Sequence, residues 1–277
     1  MTQRTPIVKM SGAGNDFIVL DEAVWETLPG DRATWVRGAC RRGLSVGADG
    51  VLVVGPGGDG GVRVVFFNPD GGEAFCGNGT RCAARYAVWR RLVTGPRMTL
   101  ATAAGPVPAV VEGGIVSLRL PPPEDRGAIE LKGPDGDVHS GRLVIAGVPH
   151  LVLHVPQVAA WPLDRLAPIL RRDPALGPEG ANVDIVARDG DGRVHVRTFE
   201  RGVEGETLAC GTGAVAVAYD ARLDGAAEKV IVVPASGVAL SVEILGDPRC
   251  PTAAVLTGDA RFVFEGEMAA DGLPTAS

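Results

Sequence analysis

Short β-branched runs, each closed by glycine, proline or aspartate, set the rhythm of this chain. Val51-Leu52-Val53-Val54, Val62-Arg63-Val64-Val65-Phe66-Phe67, Leu143-Val144-Ile145, Leu151-Val152-Leu153 and Val230-Ile231-Val232-Val233 have the length and composition of strands. Many end in a Gly-rich turn leading straight into another strand, which predicts antiparallel or mixed sheets rather than a doubly wound parallel one. Helical patterning is rarer and covers 32–42, 80–92, 163–172 and 213–223. The expectation is an α/β (α+β) fold richer in strand than in helix.

Two of those helices start from similar tetrapeptides. Cys76-Gly77-Asn78-Gly79 runs into Thr80-Arg81-Cys82-Ala83-Ala84, and Cys210-Gly211-Thr212-Gly213 runs into Ala214-Val215-Ala216-Val217-Ala218. The alanines let neighbours pack close, as around a helix held inside a curved sheet. One copy lies in each half, so a distant internal duplication is expected: two similar lobes, each a curved mixed or antiparallel sheet wrapped around a central helix, forming a pseudo-twofold pair. The run Leu120-Pro121-Pro122-Pro123-Glu124-Asp125 falls between the copies and is the natural crossing point.

At 277 residues, 45% hydrophobic and 22% charged, the chain has material for two medium cores. Its 27 basic and 33 acidic residues leave a net charge of −6, and the pairs Arg41-Arg42, Arg90-Arg91 and Arg171-Arg172 are scattered, so nothing asks for nucleic acid. No apolar run approaches the roughly 20 residues that span a bilayer, and Met1 to Pro6 lack the apolar stretch of a signal peptide. A cytoplasmic protein without a membrane partner is expected. Cys40, Cys76, Cys82, Cys210 and Cys250 are odd in number and unpaired in spacing, so they read as free thiols.

A cysteine before Gly-x-Gly at a helix start sits where unpaired backbone N–H groups and the positive end of the helix dipole lower thiol pKa and attract anions. A single example reads most simply as a small buried hydrophobe. Two of them, one per half, point instead to activated thiols on opposite sides of one cleft. Inverting a stereocentre without a carbonyl cofactor needs that arrangement, because one group removes the Cα proton and the other returns a different one. The helix N-termini would bind the substrate carboxylate as negative charge builds on it. A dithiol redox protein is the rival chemistry, against which the absence of C-x-x-C counts. A non-catalytic binding protein fits two such thiols poorly.

At these residues the chain resembles the diaminopimelate epimerase family, two-cysteine enzymes that work without pyridoxal phosphate, over nearly its whole length. Four segments carry the resemblance: 9–17 (Lys9-Met10-Ser11-Gly12-Ala13-Gly14-Asn15-Asp16-Phe17), 68–82 around Cys76, Ala181-Asn182-Val183, and 199–213 around Cys210, which is the most specific. The resemblance implies a last strand, Ala260-Arg261-Phe262-Val263-Phe264-Glu265, returning to the first lobe. The lobes would then be 1–120 with 258–277, and 121–257. It implies Cys76 and Cys210 as the acid/base pair, Asn15, Asn68, Asn182, Glu200 and Arg201 on the distal amino-acid end of the substrate, and backbone amides of Gly77, Asn78, Gly211 and Thr212 on the reacting carboxylate. The substrate would be a small amino acid, with no cofactor and no metal, and a homodimer is the one protein partnership left open.

The chain also departs from the family pattern. The first block is one residue short between Asn68 and Cys76, the second has one residue extra across 200–206, Val148 stands where many members have Asn, and Gly50 where some have Gln. Each unmade hydrogen bond would cost about 1 kcal/mol. The leading expectation is epimerisation of L,L-diaminopimelate in lysine and peptidoglycan precursor biosynthesis; the alternative is a related racemase of another amino acid, such as histidine.

Other features are set aside. Gly55-Pro56-Gly57-Gly58-Asp59-Gly60 spells G-x-G-x-x-G but leads into a strand, so it reads as a hairpin turn and not a dinucleotide site. His150 and His154 flank a strand-like run, which argues against zinc. Cys40, Cys82 and Cys250 lack the Gly-x-Gly context, and Glu73 reads equally as a loop cap or a cleft group.

Overall fold

The computed structural model describes residues 4–134 and 136–273. Met1 to Gln3, part of the segment read above for a signal peptide, and the last residues of the expected first lobe, 274–277, lie outside the described residues. The first half runs through β1 (Thr5–Gly12), β2 (Asn15–Asp21), α1 (Glu22–Thr27), α2 (Arg32–Cys40), β3 (Gly50–Pro56), β4 (Val62–Phe67), β5 (Glu73–Ala74), α3 (Gly77–Trp89), β6 (Arg97–Thr102), β7 (Gly105–Glu112) and β8 (Ile115–Leu120). The second half continues with β9 (Glu124–Lys132), β10 (Val138–Ala146), β11 (Val148–His154), α4 (Leu163–Leu170), β12 (Asn182–Arg188), β13 (Val194–Glu200), β14 (Gly205–Thr207), α5 (Gly211–Leu223), β15 (Lys229–Val233), β16 (Leu240–Asp247), β17 (Cys250–Asp259) and β18 (Arg261–Met268).

The chain divides into two compact units, one extending to Leu118 and resuming at Gly258, the other Arg119–Thr257. In the first, strands lie in the order β18-β1-β2-β3-β4-β6-β7-β8; only β2–β3 and β4–β6 are parallel, and β5 adds a short piece to β4. In the second, the order is β9-β10-β11-β12-β13-β15-β16-β17, parallel only at β11–β12 and β13–β15, with β14 on β13. The two successions are the same, with β18 taking in the first unit the place that β9 takes in the second. Parallel neighbours need a crossover, and helices supply each one: α1 and α2 between β2 and β3, α3 between β4 and β6, α4 between β11 and β12, and α5 between β13 and β15.

Burial explains the sequence pattern. In α3, 10 of 13 residues are buried, and the same holds for α5. A helix enclosed all round needs small side chains, hence the alanines. On the opposite face of the first sheet Trp35, Val36 and Ala39 of α2 cover Ile18, Leu20, Val51 and Val53. In the second unit Leu163, Leu166 and Leu170 of α4 cover Leu151, Leu153, Val183 and Ile185. Strands buried on both faces lose polar alternation, which is why Val51-Leu52-Val53-Val54 reads as one apolar run.

The expected helices are found with different ends. Both central helices start earlier than expected, at Gly77 and Gly211 rather than 80 and 213, because Cys76 and Cys210 are themselves the N-caps and their glycines form the first turn. The helices end at Cys40, Trp89 and Leu170, short of 42, 92 and 172. The 55–60 segment is a hairpin turn, with Gly55 opposite Arg63 and Pro56 opposite Val62. No helix among the described residues is long and apolar enough to cross a membrane.

Candidate active site

In the first unit Cys76 is half-buried, and its Sγ accepts the Gly79 N–H at 3.4 Å. Gly77 and Asn78 are the first two residues of α3, so their amides precede the first intrahelical acceptor. The Asn78 side chain is buried and donates to Asn15 Oδ1 at 2.6 Å; Asn15 Nδ2 in turn donates to Asp49 Oδ2 at 3.1 Å. Asn15, at the start of β2, is thus brought to the N-terminus of α3. Asn68 follows β4 and opens a tight turn closed by Asn68 N–H to Gly72 O at 2.9 Å. Glu73 is exposed on β5.

In the second unit Cys210 is buried and its Sγ accepts the Gly213 N–H at 3.4 Å. The Thr212 hydroxyl lies 3.3 Å from the same sulfur and 3.0 Å from His150 Nε2, and His150 Nδ1 lies 2.7 Å from Asp184 Oδ2. The other Asp184 oxygen accepts from Thr198 Oγ1 at 2.6 Å. His150 and Asp184 are both fully buried. Asn182 fixes the ring's proton. Its Oδ1 accepts the Arg201 N–H at 2.8 Å, so its amide nitrogen is the atom 3.4 Å from His150 Nε2. Nε2 therefore accepts, Nδ1 carries the hydrogen donated to Asp184, and the Thr212 hydroxyl donates to Nε2. Its remaining lone pairs face the Cys210 thiol, giving a continuous chain Cys210–Thr212–His150–Asp184. Gly213 is required here, because a Cβ there would meet Asp184 Oδ1 at 2.7 Å.

Charge distinguishes this thiol from the sequence expectation. A helix N-terminus alone would lower its pKa, but burial pushes Cys210 well above the ordinary thiol range, and the Glu200 and Asp184 carboxylates push the same way. The Gly213 backbone amide, donating to the sulfur, opposes this without prevailing. Cys210 is held as a thiol. Glu200, at the end of β13, is itself raised, first by burial, while Thr207 Oγ1 donates to it. It is placed against Cys210. Arg201 pairs its side chain with Glu179 at 2.8 Å.

The positions singled out against the family pattern take the following local structure. The 200–206 stretch holds a turn in which Gly202 and Glu204 adopt positive φ, 89° and 56°, and Glu204 is held by Arg171 and Arg172 at 2.9 and 2.7 Å. At Gly50 a Cβ would lie 2.3 Å from the Phe66 ring and 2.6 Å from Phe67 O. No side chain fits there, so glycine is imposed by the Phe66 packing. Val148 begins β11, two residues before His150.

His150, Asp184, Thr198 and Asp49 escaped the sequence reading, which weighed His150 only as a metal ligand. The signal lies in strand register. His150 sits beside Asn182 across the parallel β11–β12 pair, and Asp184, two residues on, shares that face. Elsewhere, His154, Asp220 and Asp224 bring potential ligand atoms within 4.8 Å of one another. Arg142 and Arg188 already lie 3.1 and 3.6 Å from those carboxylates and supply the balancing charge. Cys40 and Cys82 are buried, and desolvation raises them to about 11 and about 12; Cys250 is exposed.

The diaminopimelate epimerase family model matches residues 7–114 and 142–263. The chain belongs to that family. It is 37% identical over 279 residues to the diaminopimelate epimerase of Gemmatimonas aurantiaca, covering 95% of this chain and 98% of that one. With the diaminopimelate epimerase of Archaeoglobus fulgidus it shares 39% identity over 286 residues, covering 95% and 96%. Among solved structures, a hydroxyproline epimerase from Agrobacterium vitis, described with bound trans-4-hydroxy-L-proline, matches with TM-score 0.70 at 17% identity, over 98% of this chain and 94% of that one. That last likeness is one of fold. The family and the α+β architecture expected from the sequence both hold.

Proposed function

We propose that this chain is an isomerase that interconverts L,L- and meso-diaminopimelate without pyridoxal phosphate, using Cys76 and Cys210 as its acid and base, as a cytoplasmic enzyme of lysine and peptidoglycan precursor synthesis. One observation supports the reading above the others: each unit independently sets a cysteine as the N-cap of its buried central helix, with a first-turn amide donating to the sulfur. The chemistry then requires the two sulfurs on opposite faces of one Cα. One, as thiolate, removes the α-proton; the other, as thiol, delivers its own to the far face. Amides of Gly77, Asn78, Gly211 and Thr212 hold the reacting carboxylate, where helix dipoles offset the charge developing in the carbanion-like transition state.

The surrounding residues take separate roles. Asn15 and Asn68 bind the distal amino-acid end. Arg201, held by Glu179, presents charge to the distal carboxylate, and Asn182 organises the Arg201 backbone beneath it. Glu200 and the Thr212–His150–Asp184 chain set the proton affinity of Cys210. A small amino acid is the only partner this chemistry needs, and nucleic acid has no part in it.

The test is to incubate purified protein with L,L-diaminopimelate, without pyridoxal phosphate, and to assay the meso isomer, with L-histidine in parallel. Formation of meso-diaminopimelate supports the assignment; inversion of histidine alone transfers it to the racemase alternative. Cys76→Ala and Cys210→Ala should each reduce inversion by at least about 10³-fold, because each removes one partner of the proton transfer. Full turnover by either variant would remove the two-thiol mechanism.

A further inference from the structure

Arg81 lies in the second turn of α3, five residues after Cys76, and is completely buried. Its Nε donates to the Asp259 backbone oxygen at 3.2 Å and its Nη2 to Asn78 Oδ1 at 2.8 Å. Its Nη1 has no hydrogen-bond partner, and no carboxylate pairs with Arg81 among the described residues. Other buried cations are treated differently: Lys9 meets Asp16 at 2.7 Å, and Arg171 meets Glu204 at 2.9 Å. An isolated buried charge costs several kcal/mol, and a guanidinium cannot escape the cost by deprotonating at ordinary pH. A fold that keeps one without a counter-ion needs an anion nearby.

Three groups act electrostatically on Arg81: Cys82, Cys76 and Asp259. Cys82 is fully buried and pushed up to about 12, so it stays a neutral thiol. The Asp259 carboxylate is taken, with one oxygen 2.7 Å from Arg261 Nε and the other accepting the Ala13 N–H at 2.7 Å. That leaves Cys76. We infer that Arg81 is a buried counter-charge retained to hold Cys76 as thiolate, a positioning residue that acts on the reaction through that sulfur. Arg85, on the same helix, is the other cation facing this cluster, and it is anchored to the Ala260 carbonyl.

Arg81 also carries a second effect. Its bond to Asn78 Oδ1 leaves Asn78 Nδ2 to donate to Asn15, whose own Nδ2 donates to Asp49. One fixed cation thereby orients three consecutive hydrogen bonds of the first unit's site. The two units are electrically opposite: a cation accompanies Cys76, whereas Glu200 and Asp184 accompany Cys210.

The inference rests on Cys76 being a reacting thiol, and its test needs no amino-acid substrate. The rate of iodoacetamide alkylation of Cys76 is followed against pH by peptide mass mapping in the full-length wild type and in Arg81→Met, with thermal unfolding in parallel. Removing an opposite charge disfavours the Cys76 thiolate, so alkylation near neutral pH slows about tenfold or more. Losing the guanidinium also strands the Asp259 and Asn78 acceptors, so the melting temperature falls whatever its role, and Cys76 reactivity is the readout. A purely structural arginine predicts Cys76 reactivity intact at every pH, and that result overturns the inference. Arg81→Lys carries the test if Arg81→Met does not fold. It retains charge but not the planar fork, so an alkylation profile within about half a unit of wild type supports the counter-charge, and a shift of a full unit or more refutes it. A chain that inverts no amino acid would sink the proposed function and leave these titrations to judge Arg81.

Discussion

Replacing Thr212 by valine tests the chain that links Cys210 to a base. The two side chains have nearly the same shape, so the change removes the hydroxyl and leaves the backbone amide in the first turn of α5. Two contacts are lost together, 3.3 Å to Cys210 Sγ and 3.0 Å to His150 Nε2. His150 is fully buried, and its other Nε2 neighbour among the described residues is Asn182 Nδ2 at 3.4 Å. A buried acceptor left unmet costs roughly 1–3 kcal/mol, and the residual Asn182 contact keeps the loss near the lower bound, about 1 kcal/mol. For a chain of this size that lowers the melting temperature by about 2–4 °C. Activity should fall further. Burial and two carboxylates already hold Cys210 above the ordinary thiol range, and without the hydroxyl its proton has no path to the His150–Asp184 pair. Loss of an assisted proton transfer corresponds to about 10²-fold. The overall equilibrium is fixed, so kcat/KM must fall by the same factor in both directions. The assay is kcat/KM for each stereoisomer with wild type, Thr212→Val and Thr212→Ser. Serine should restore activity to within about threefold, because it restores the hydroxyl. A valine variant within about threefold of wild type would refute the relay.

Other consequences follow from single residues. Gly50→Gln should destabilise the protein by about 2 kcal/mol or more in urea unfolding, because its Cβ meets the Phe66 ring and the Phe67 carbonyl; unchanged stability would contradict the packing argument. Asp16 is lowered to about 2: burial would raise it, but hydrogen bonds from Arg42 and Lys9 outweigh that. Its folded value lies below the unfolded 3.8, so its contribution is present above about pH 4 and lost as pH falls toward 2. After allowance for solvent screening this is on the order of 1–2 kcal/mol. Asp16→Asn should accordingly flatten the acid limb of the stability curve between about pH 4 and 2, and an unaltered limb would count against the pairing.

The paired tetrapeptides made the site's frame legible, because a cysteine ahead of Gly-x-Gly marks a helix start by local chemistry alone. The buried β3 and β4 were legible too, since strands covered on both faces advertise themselves as apolar runs. β9 was not: Glu124–Lys132 is mostly exposed and polar, and it is a strand because of backbone pairing with β10. The His150–Asp184 pair was hidden for a different reason. Its members are 34 residues apart and meet only through the register of two parallel strands, which no local pattern encodes. Arg81 looked like an ordinary helix residue, and only its burial without a carboxylate singles it out.

Deuterium partitioning tests the central claim, that two thiols share one inversion, most directly. L,L-diaminopimelate is turned over in deuterium oxide and stopped at a few per cent conversion, and the deuterium at Cα is measured in product and in recovered substrate. Two distinct groups predict one solvent deuteron at the inverted carbon of the meso product and almost none in the remaining substrate, since the proton returned comes from the opposite thiol. Deuterium entering recovered substrate as fast as product, or meso product that keeps its original proton, would mean a single base and would contradict the account.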